Sequence, residues 1–247
     1  MEKNHVEDYQ YLSYNCGEYI EVVFFTAHKG LTFNRRTEEG QKNLNNIKRW
    51  FGVKEVVYLN QIHSNIVHAF KDNKEVINSE GDGIITENTA TAIGVFTADC
   101  VPIILVDKKK GAIGAVHSGW KGTYANIAGK AVDLMKENYG CNPEELSIYI
   151  GPHNRVCCYE VSEELISKFK NNPLFSENLL SEKYNINKGR HLNLEACIKI
   201  ELITSGVKEE NIISTEECTF CSSNLNLFSY RREDEKEGRM YSFVYIK

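Results

Sequence analysis

No run of the sequence approaches the roughly 18 consecutive apolar residues that cross a membrane, and its start, MEKNHVEDYQ, lacks the apolar centre of a secretory signal. A cytoplasmic protein is therefore expected, with no membrane partner. Internal repeats and low-complexity tracts are also missing, and only four prolines interrupt 247 residues, so one continuous domain over 1–247 is the simplest organisation. The net charge of −5 comes without a basic stripe or aromatic–basic clusters, which argues against nucleic acid as the ligand and favours a small molecule. Eight cysteines are present, but they are irregularly spaced and follow no export signal. They are read as reduced thiols, whose chemistry is metal binding or nucleophilic attack.

Periodicity gives a mixed set of elements. Tyr19 to Thr26 is β-branched and aromatic and predicts a strand, and TEEGQKNLNNIKRWFG carries Leu44, Ile47 and Trp50 or Phe51 at helical spacing, ending at Gly52. VKEVVYL and SNIVHAF read as extended segments around a bend at Asn60 to His63, and IIT and AIGVFT follow a turn at Glu80–Gly83. A helix is expected from about Tyr124 to Tyr139, closed by Gly140. The second half predicts a strand at LSIYIG, helices over EELISKFKNN and LNLEACIKIELITSG with a stop at Gly206, and a terminal hairpin over FSYRREDEKEGRMYSFVYI. Strands and helices do not alternate strictly, which favours an α/β fold of α+β character with a mixed sheet over a parallel doubly wound one.

The stretch from Asp99 to Thr123, DCVPIILVDKKKGAIGAVHSGWKGT, holds one cysteine and one histidine with sixteen residues between them. VPIILVD and AIGAVHS are β-like and KKKG is a hairpin turn, which pairs Asp107 with Ala112 and sets Cys100 opposite Gly119. Cys100 and His117 then become diagonal neighbours with Cα atoms roughly 7–8 Å apart, close enough for their side chains to meet at one atom. Two chemistries fit. Either His117 takes the thiol proton and Cys100 attacks, or the two hold a soft or borderline cation with a third ligand, for which His63 is the candidate. The plainer alternative is a pair of buried strand residues. Ser118 to Thr123 adds glycines, Lys121 and a helix start that could receive an anion, although the GxxxxGK[ST] loop is absent.

NQIHSN at 60–65, GDGIIT at 81–86, TADCVPIILVD at 97–107, GAVHSGWKGT at 114–123, IGPHNRVCCYEV at 150–161 and FSYRR at 228–232 together resemble the YfiH/YlmD family, formerly labelled laccase-domain or polyphenol oxidase proteins. The resemblance covers nearly the whole chain. It implies mixed sheets packed between helices, a fold similar to that of deamidating toxins, and one zinc ion held by His63, Cys100 and His117, which are also the catalytic candidates. The implied activity is phosphorolysis of adenosine, inosine or guanosine to the base and ribose 1-phosphate. Phosphorolysis of methylthioadenosine and deamination of adenosine are attributed to the family as well. Candidate substrate contacts are Asn60, Asp82, Asp99, Lys121, His153, Cys157, Arg231 and Arg232, with Lys121 and the two arginines assigned to the anion. Cys218 and Cys221 have CxxC spacing but no second CxxC or nearby histidine, and read as structural. Two departures stand out: His28 and Leu31 replace an arginine and a glycine of the family's FTTRxGGVS-like segment, and Asn193 replaces an aspartate. Were that arginine a phosphate or sugar ligand, His28 could act for it only when protonated. Competing readings are a Cys100–His117 hydrolase or deamidase, a copper-dependent polyphenol oxidase, disfavoured because no HxH occurs, and a non-enzymatic zinc-binding protein, which would need a fourth protein ligand.

Overall fold

The computed structural model describes residues 1–247 apart from 73, 74, 77, 177–179 and 234–236. An N-terminal hairpin, β1 (Glu2–Val6) and β2 (Tyr9–Asn15), leads into β3 (Ile20–Phe25). Thr37 then starts α1 (Glu38–Phe51) by accepting the Gly40 N–H on its hydroxyl, and Gly52 ends it in the left-handed conformation at φ 68°, as the sequence predicts. β4 (Glu55–Val57), β5 (Val67–Ala69), β6 (Gly83–Thr86) and β7 (Thr91–Thr97) follow, and then the long hairpin of β8 (Val101–Asp107) and β9 (Ala112–Ser118). The remaining elements are α2 (Trp120–Tyr124), α3 (Ile127–Tyr139), β10 (Ser147–Ile150), α4 (Glu163–Lys170), α5 (Pro173–Ser176), α6 (Leu180–Lys183), β11 (Asn187–Lys188), β12 (His191–Leu192), α7 (Leu194–Thr204), β13 (Ile212–Ser214) and β14 (Met240–Ile246).

These strands make two six-stranded mixed sheets, ordered β1-β2-β3-β14-β7-β4 and β13-β10-β8-β9-β6-β5, with β11 and β12 as a separate ribbon. The β4–β7, β5–β6 and β10–β13 pairs are parallel and the other ladders antiparallel. The sheets lie face to face. Val22, Phe24, Ile93 and Val244 of the first pack on Ile104, Val106, Ile113 and Ala115 of the second. The outer face of the first sheet is covered by Leu44 and Ile47 of α1, and that of the second by Ile127, Ala131, Val132 and Met135 of α3 with Cys197, Ile198 and Ile200 of α7. This helix–sheet–sheet–helix stack explains why β8 and β9 show no polar alternation: both of their faces are buried.

Three local expectations are corrected. The helix expected from Tyr124 to Tyr139 is broken into α2 and α3 at Asn126, whose φ is 59°. Asn172 and Asn65 donate side-chain N–H groups to the carbonyls of Tyr124 and Ala125 at that break, satisfying acceptors that a continuous helix would have used. The N-terminal hairpin was not expected at all. The terminal hairpin is not formed: β14 pairs with β3 on one side and β7 on the other, so neither of its edges is open to FSYRR, which instead turns back toward β8. Part of that hairpin's charged loop, 234–236, lies outside the described residues.

Ile104 is fully buried between the sheets. Ile104→Ala is expected to lower unfolding free energy by about 2–5 kcal/mol through lost burial and a residual cavity, read from the urea midpoint at unchanged slope.

Candidate metal centre and its cleft

The β8–β9 register pairs Asp107 with Ala112 and Val101 with Ser118, the alignment predicted from the turn, so Cys100 and Gly119 face each other just beyond the strand ends. A β-carbon at Gly119 would sit 3.1 Å from the Cys100 Sγ and 3.1 Å from the His63 Cδ2, so that the small residue is what lets the third side chain in. His63 arrives on the 60–66 loop with φ 60°, a conformation that a non-glycine residue holds only against a cost. Its Nε2 is 4.0 Å from the Cys100 Sγ, and its ring meets that of His117 edge-on at 4.9 Å between centroids. One nitrogen from each imidazole and the sulfur all lie within 4.8 Å of one another. Tetrahedral zinc with bonds of about 2.0–2.3 Å separates such ligands by roughly 3.3–3.8 Å, so a slight contraction would bring all three onto one ion.

Behind this set lies Asp82, which sequence analysis took for a substrate contact. It is 1% exposed and its carboxylate is fully engaged. Oδ1 accepts from His117 Nδ1 at 2.8 Å and the His63 N–H at 3.1 Å, and Oδ2 accepts from the Ser64 N–H at 2.6 Å and the Ser64 hydroxyl at 2.7 Å. Burial would raise its pKa, but the hydrogen bond and charge of His117, followed by Ser64, bring it down to about 2. Asp82 thus fixes the His117 tautomer, leaves Nε2 for the centre and pins the loop that carries His63. Around Cys100, burial opposes ionisation, but His117 and then His63 outweigh it and bring the thiol down to about 6. For His117 burial likewise opposes the charge, and the Cys100 thiolate and Asp82 raise it to about 9. Without metal, the pair is thiolate and imidazolium.

The three residues open onto a cleft of about 930 Å³. Its cationic lining is Arg35, Arg36, Arg231 and Arg239, and its aromatic lining Phe96, Tyr159 and Tyr230. Arg35 donates to the Leu59 carbonyl and to Asn60 Oδ1, and the Arg231 guanidinium lies 4.4 Å over the Tyr159 ring with one nitrogen on the Glu160 carbonyl. Asp99, at φ 98°, lines the cleft beside Cys100, its oxygens taken by the Thr219 hydroxyl at 2.6 Å and the Arg231 N–H at 2.9 Å.

Of the predicted substrate contacts, only Asp99 and Arg231 line this cleft. Asn60 stands behind Arg35. Lys121 is exposed on α2 with its ammonium 5.8 Å from the Trp120 ring, and α2 is a single short turn rather than the anion-receiving helix expected. His153 is 1% exposed, against the Gly151 carbonyl and Glu195. Arg232 lies in a neighbouring groove with Phe228 and Gly238, its nitrogens spent on the carbonyls of Thr219, Phe220 and Leu227. Cys157 does not line the cleft and joins three other cysteines. His28 packs on His5 and the Asp8 carbonyl, outside the cleft. Sequence reasoning missed three cleft arginines, Arg35 and Arg36, which stand just before the N-cap Thr37 of α1, and Arg239, which stands just before β14. Asn193 caps α7 through the Ala196 N–H, a task its family aspartate would share.

A single cysteine and two histidines that could hold one metal ion thus converge beside an arginine-lined cleft. The chain belongs to the family described as multi-copper polyphenol oxidoreductase laccase, whose model matches residues 18–247. It is 43% identical over 242 residues to a purine nucleoside phosphorylase of Clostridium acetobutylicum, covering 98% of each chain. It is 32% identical over 176 residues to an adenosine deaminase of an unidentified prokaryote, covering 71% of this chain and 66% of that one. The crystal structure of YfiH from Bacillus licheniformis superposes with a TM-score of 0.80 at 27% identity, covering 92% and 93% of the two chains. Among the described residues no helix is long and apolar enough to cross a membrane.

Two outcomes follow from Asp82. Asp82→Asn should retain the fold by circular dichroism yet bind metal about 10–100-fold more weakly in chelator competition, because the amide lacks the negative charge that orients His117 and turns an NH2 toward groups that themselves donate. In metal-free protein, iodoacetamide labelling of Cys100, followed by peptide mass spectrometry, should rise with pH through a midpoint near 6, since the reactive thiolate forms as the proton leaves.

Proposed function

We propose that this chain is a purine nucleoside phosphorylase working with one zinc ion held by His63, Cys100 and His117. Residues 1–247 act as a single domain in the cytoplasm, on nucleosides and phosphate rather than on nucleic acid. Adenosine, inosine and guanosine are the proposed substrates, with methylthioadenosine phosphorolysis and adenosine deamination as accompanying activities. The observation that carries this reading is the combination, in one cleft, of the metal-ligand triad, four arginines and three aromatic rings. The name of the Clostridium relative supports it, and that of the deaminase relative supports the second activity.

Arginine is suited to phosphate because its planar fork donates two parallel hydrogen bonds and keeps its charge. Arg36 is exposed at the cleft and Arg231 is held flat on Tyr159, so phosphate is received on that side. Tyr159, Tyr230 and Phe96 offer faces on which a purine stacks. In phosphorolysis a phosphate oxygen bonds to C1′ as the C1′–N9 bond breaks and its electron pair goes to the base. The arginines keep the phosphate close to C1′ without abolishing its nucleophilicity, and hydrogen-bond donors at the purine stabilise the departing charge. Asp99 is committed to Thr219 and Arg231 and so positions the Arg231 backbone rather than carrying a proton. Zinc bound at three protein ligands would supply Lewis acidity at its open fourth position. Zinc is preferred to copper because multicopper oxidation needs several histidine-rich sites, whereas among the described residues a single histidine-containing metal group is present.

One observation favours a second reading. The polarised Cys100–His117 pair is also the arrangement of a cysteine hydrolase or deamidase. His63 separates the two, being required as the third metal ligand, whereas a Cys100 nucleophile would still have His117 as its base.

The deciding assay incubates metal-analysed protein with each nucleoside, with and without phosphate. Free base and ribose 1-phosphate are expected together, dependent on phosphate, and His63→Ala should lose both this activity and one equivalent of zinc. Absence of base from every purine nucleoside, with zinc content unchanged in His63→Ala, overturns the assignment. Arg36→Ala should raise the KM for phosphate about tenfold, the loss of one charge-assisted hydrogen bond. Lys121→Ala should leave it unchanged.

A further inference from the structure

Cys157, Cys158, Cys218 and Cys221 are far apart in sequence, yet their four sulfurs lie within 4.8 Å of one another. The Cys157 and Cys221 sulfurs are 3.6 Å apart, too long for a disulfide and close to the edge of a sulfur tetrahedron around zinc, about 3.8 Å for Zn–S bonds of about 2.3 Å. Adjacent cysteines on a strand would point to opposite faces, but residues 156–158 form a turn in which the Cys158 and Tyr159 N–H groups both bond the Arg155 carbonyl, so both thiols point the same way. The second pair sits on the turn that follows β13, where Cys218 bridges to His153 and the Ser222 N–H bonds back to the Cys218 carbonyl.

We propose that these four cysteines form a second, structural metal centre that binds one zinc ion. Four thiolates close the coordination sphere, so no position is left for substrate and the centre is not catalytic. On binding, each thiol that ligates gives its proton to solvent. Cys157 and Cys221 are exposed and Cys218 is buried, which leaves a path for the ion to enter and a rigid base for it to rest on.

The centre is built against the cleft. Thr219, next to Cys218, donates its hydroxyl to Asp99 beside Cys100, and Tyr159, next to Cys158, is the ring on which Arg231 lies. Metal at the four cysteines therefore fastens two loops whose neighbouring residues form one wall of the cleft.

The test uses the full chain, reduced, stripped of metal and titrated with Co(II). Wild type should bind two equivalents with an intense near-ultraviolet thiolate-to-cobalt band. His63→Ala, which removes the first centre, should keep one equivalent and nearly all of that band. Cys218→Ser/Cys221→Ser should keep one equivalent with about a fifth of it, the share of Cys100 alone. Should that variant fail to fold, alkylation of wild type under native conditions gives the same answer: Cys157, Cys158, Cys218 and Cys221 should be protected in zinc-loaded protein and labelled after chelation. No cobalt bound by His63→Ala, retention of the whole band in the double cysteine variant, labelling unaffected by zinc, or a Cys157–Cys221 disulfide surviving in reduced protein each overturns the proposal.

Discussion

The Asp82 carboxylate is the contact on which the centre depends. A buried charge without partners costs several kcal/mol, and here it is offset by donors that are themselves parts of the site: the His117 ring and the backbone of His63 and Ser64. The exchange works in both directions. Asp82 is stable because the loop wraps it, and the loop holds His63 at a positive φ because Asp82 binds its N–H groups. Since β6 supplies the strand after Asp82 and β9 supplies His117, the carboxylate also locks two neighbouring strands at the end where the chemistry lies.

The hairpin was legible in the sequence because a short turn between two apolar runs fixes a constant pairing sum, and Cys100 and His117 fell together from that alone. His63 was legible only through the family pattern, since a loop residue has no periodicity to betray it. Asp82 was seen but misplaced: a carboxylate in a glycine turn reads as exposed until the loop that covers it is known. The terminal hairpin failed for a topological reason, because strand propensity in MYSFVYI says nothing about which neighbours a strand finds, and β14 found two that were distant in sequence. The N-terminal β1–β2 hairpin escaped notice because its residues are half exposed and mostly polar. For the four cysteines, the CxxC of Cys218 and Cys221 read as isolated because its partners, Cys157 and Cys158, lie some sixty residues away in sequence and meet it only through the fold.

The cleft also shows how a site can keep a charge pattern while its sequence landmark moves. The position where an arginine is usual holds His28, turned toward the N-terminal hairpin, whereas Arg35 and Arg36 reach the cleft from the start of α1. Arg35 is oriented by the Leu59 carbonyl and Asn60, which ties it to the same bend that carries His63. Asp99, held at φ 98° by Thr219 and Arg231, fixes the opposite wall. The cleft arginines and the His63–Cys100–His117 group are thus anchored through shared backbone.

The place of β14 in the first sheet has a temporal consequence. It separates β3 from β7, so these two strands, both made early, have no hydrogen-bonded partner on their facing edges until residues 240–246 leave the ribosome. During synthesis the half-built sheet must wait with open edges, a state prone to pairing with other chains and one that delays folding through long-range contacts. Arg239 and Glu237, which complete the cleft, lie on the approach to that last strand. The cleft is therefore completed late, when the segment that leads into β14 is in place.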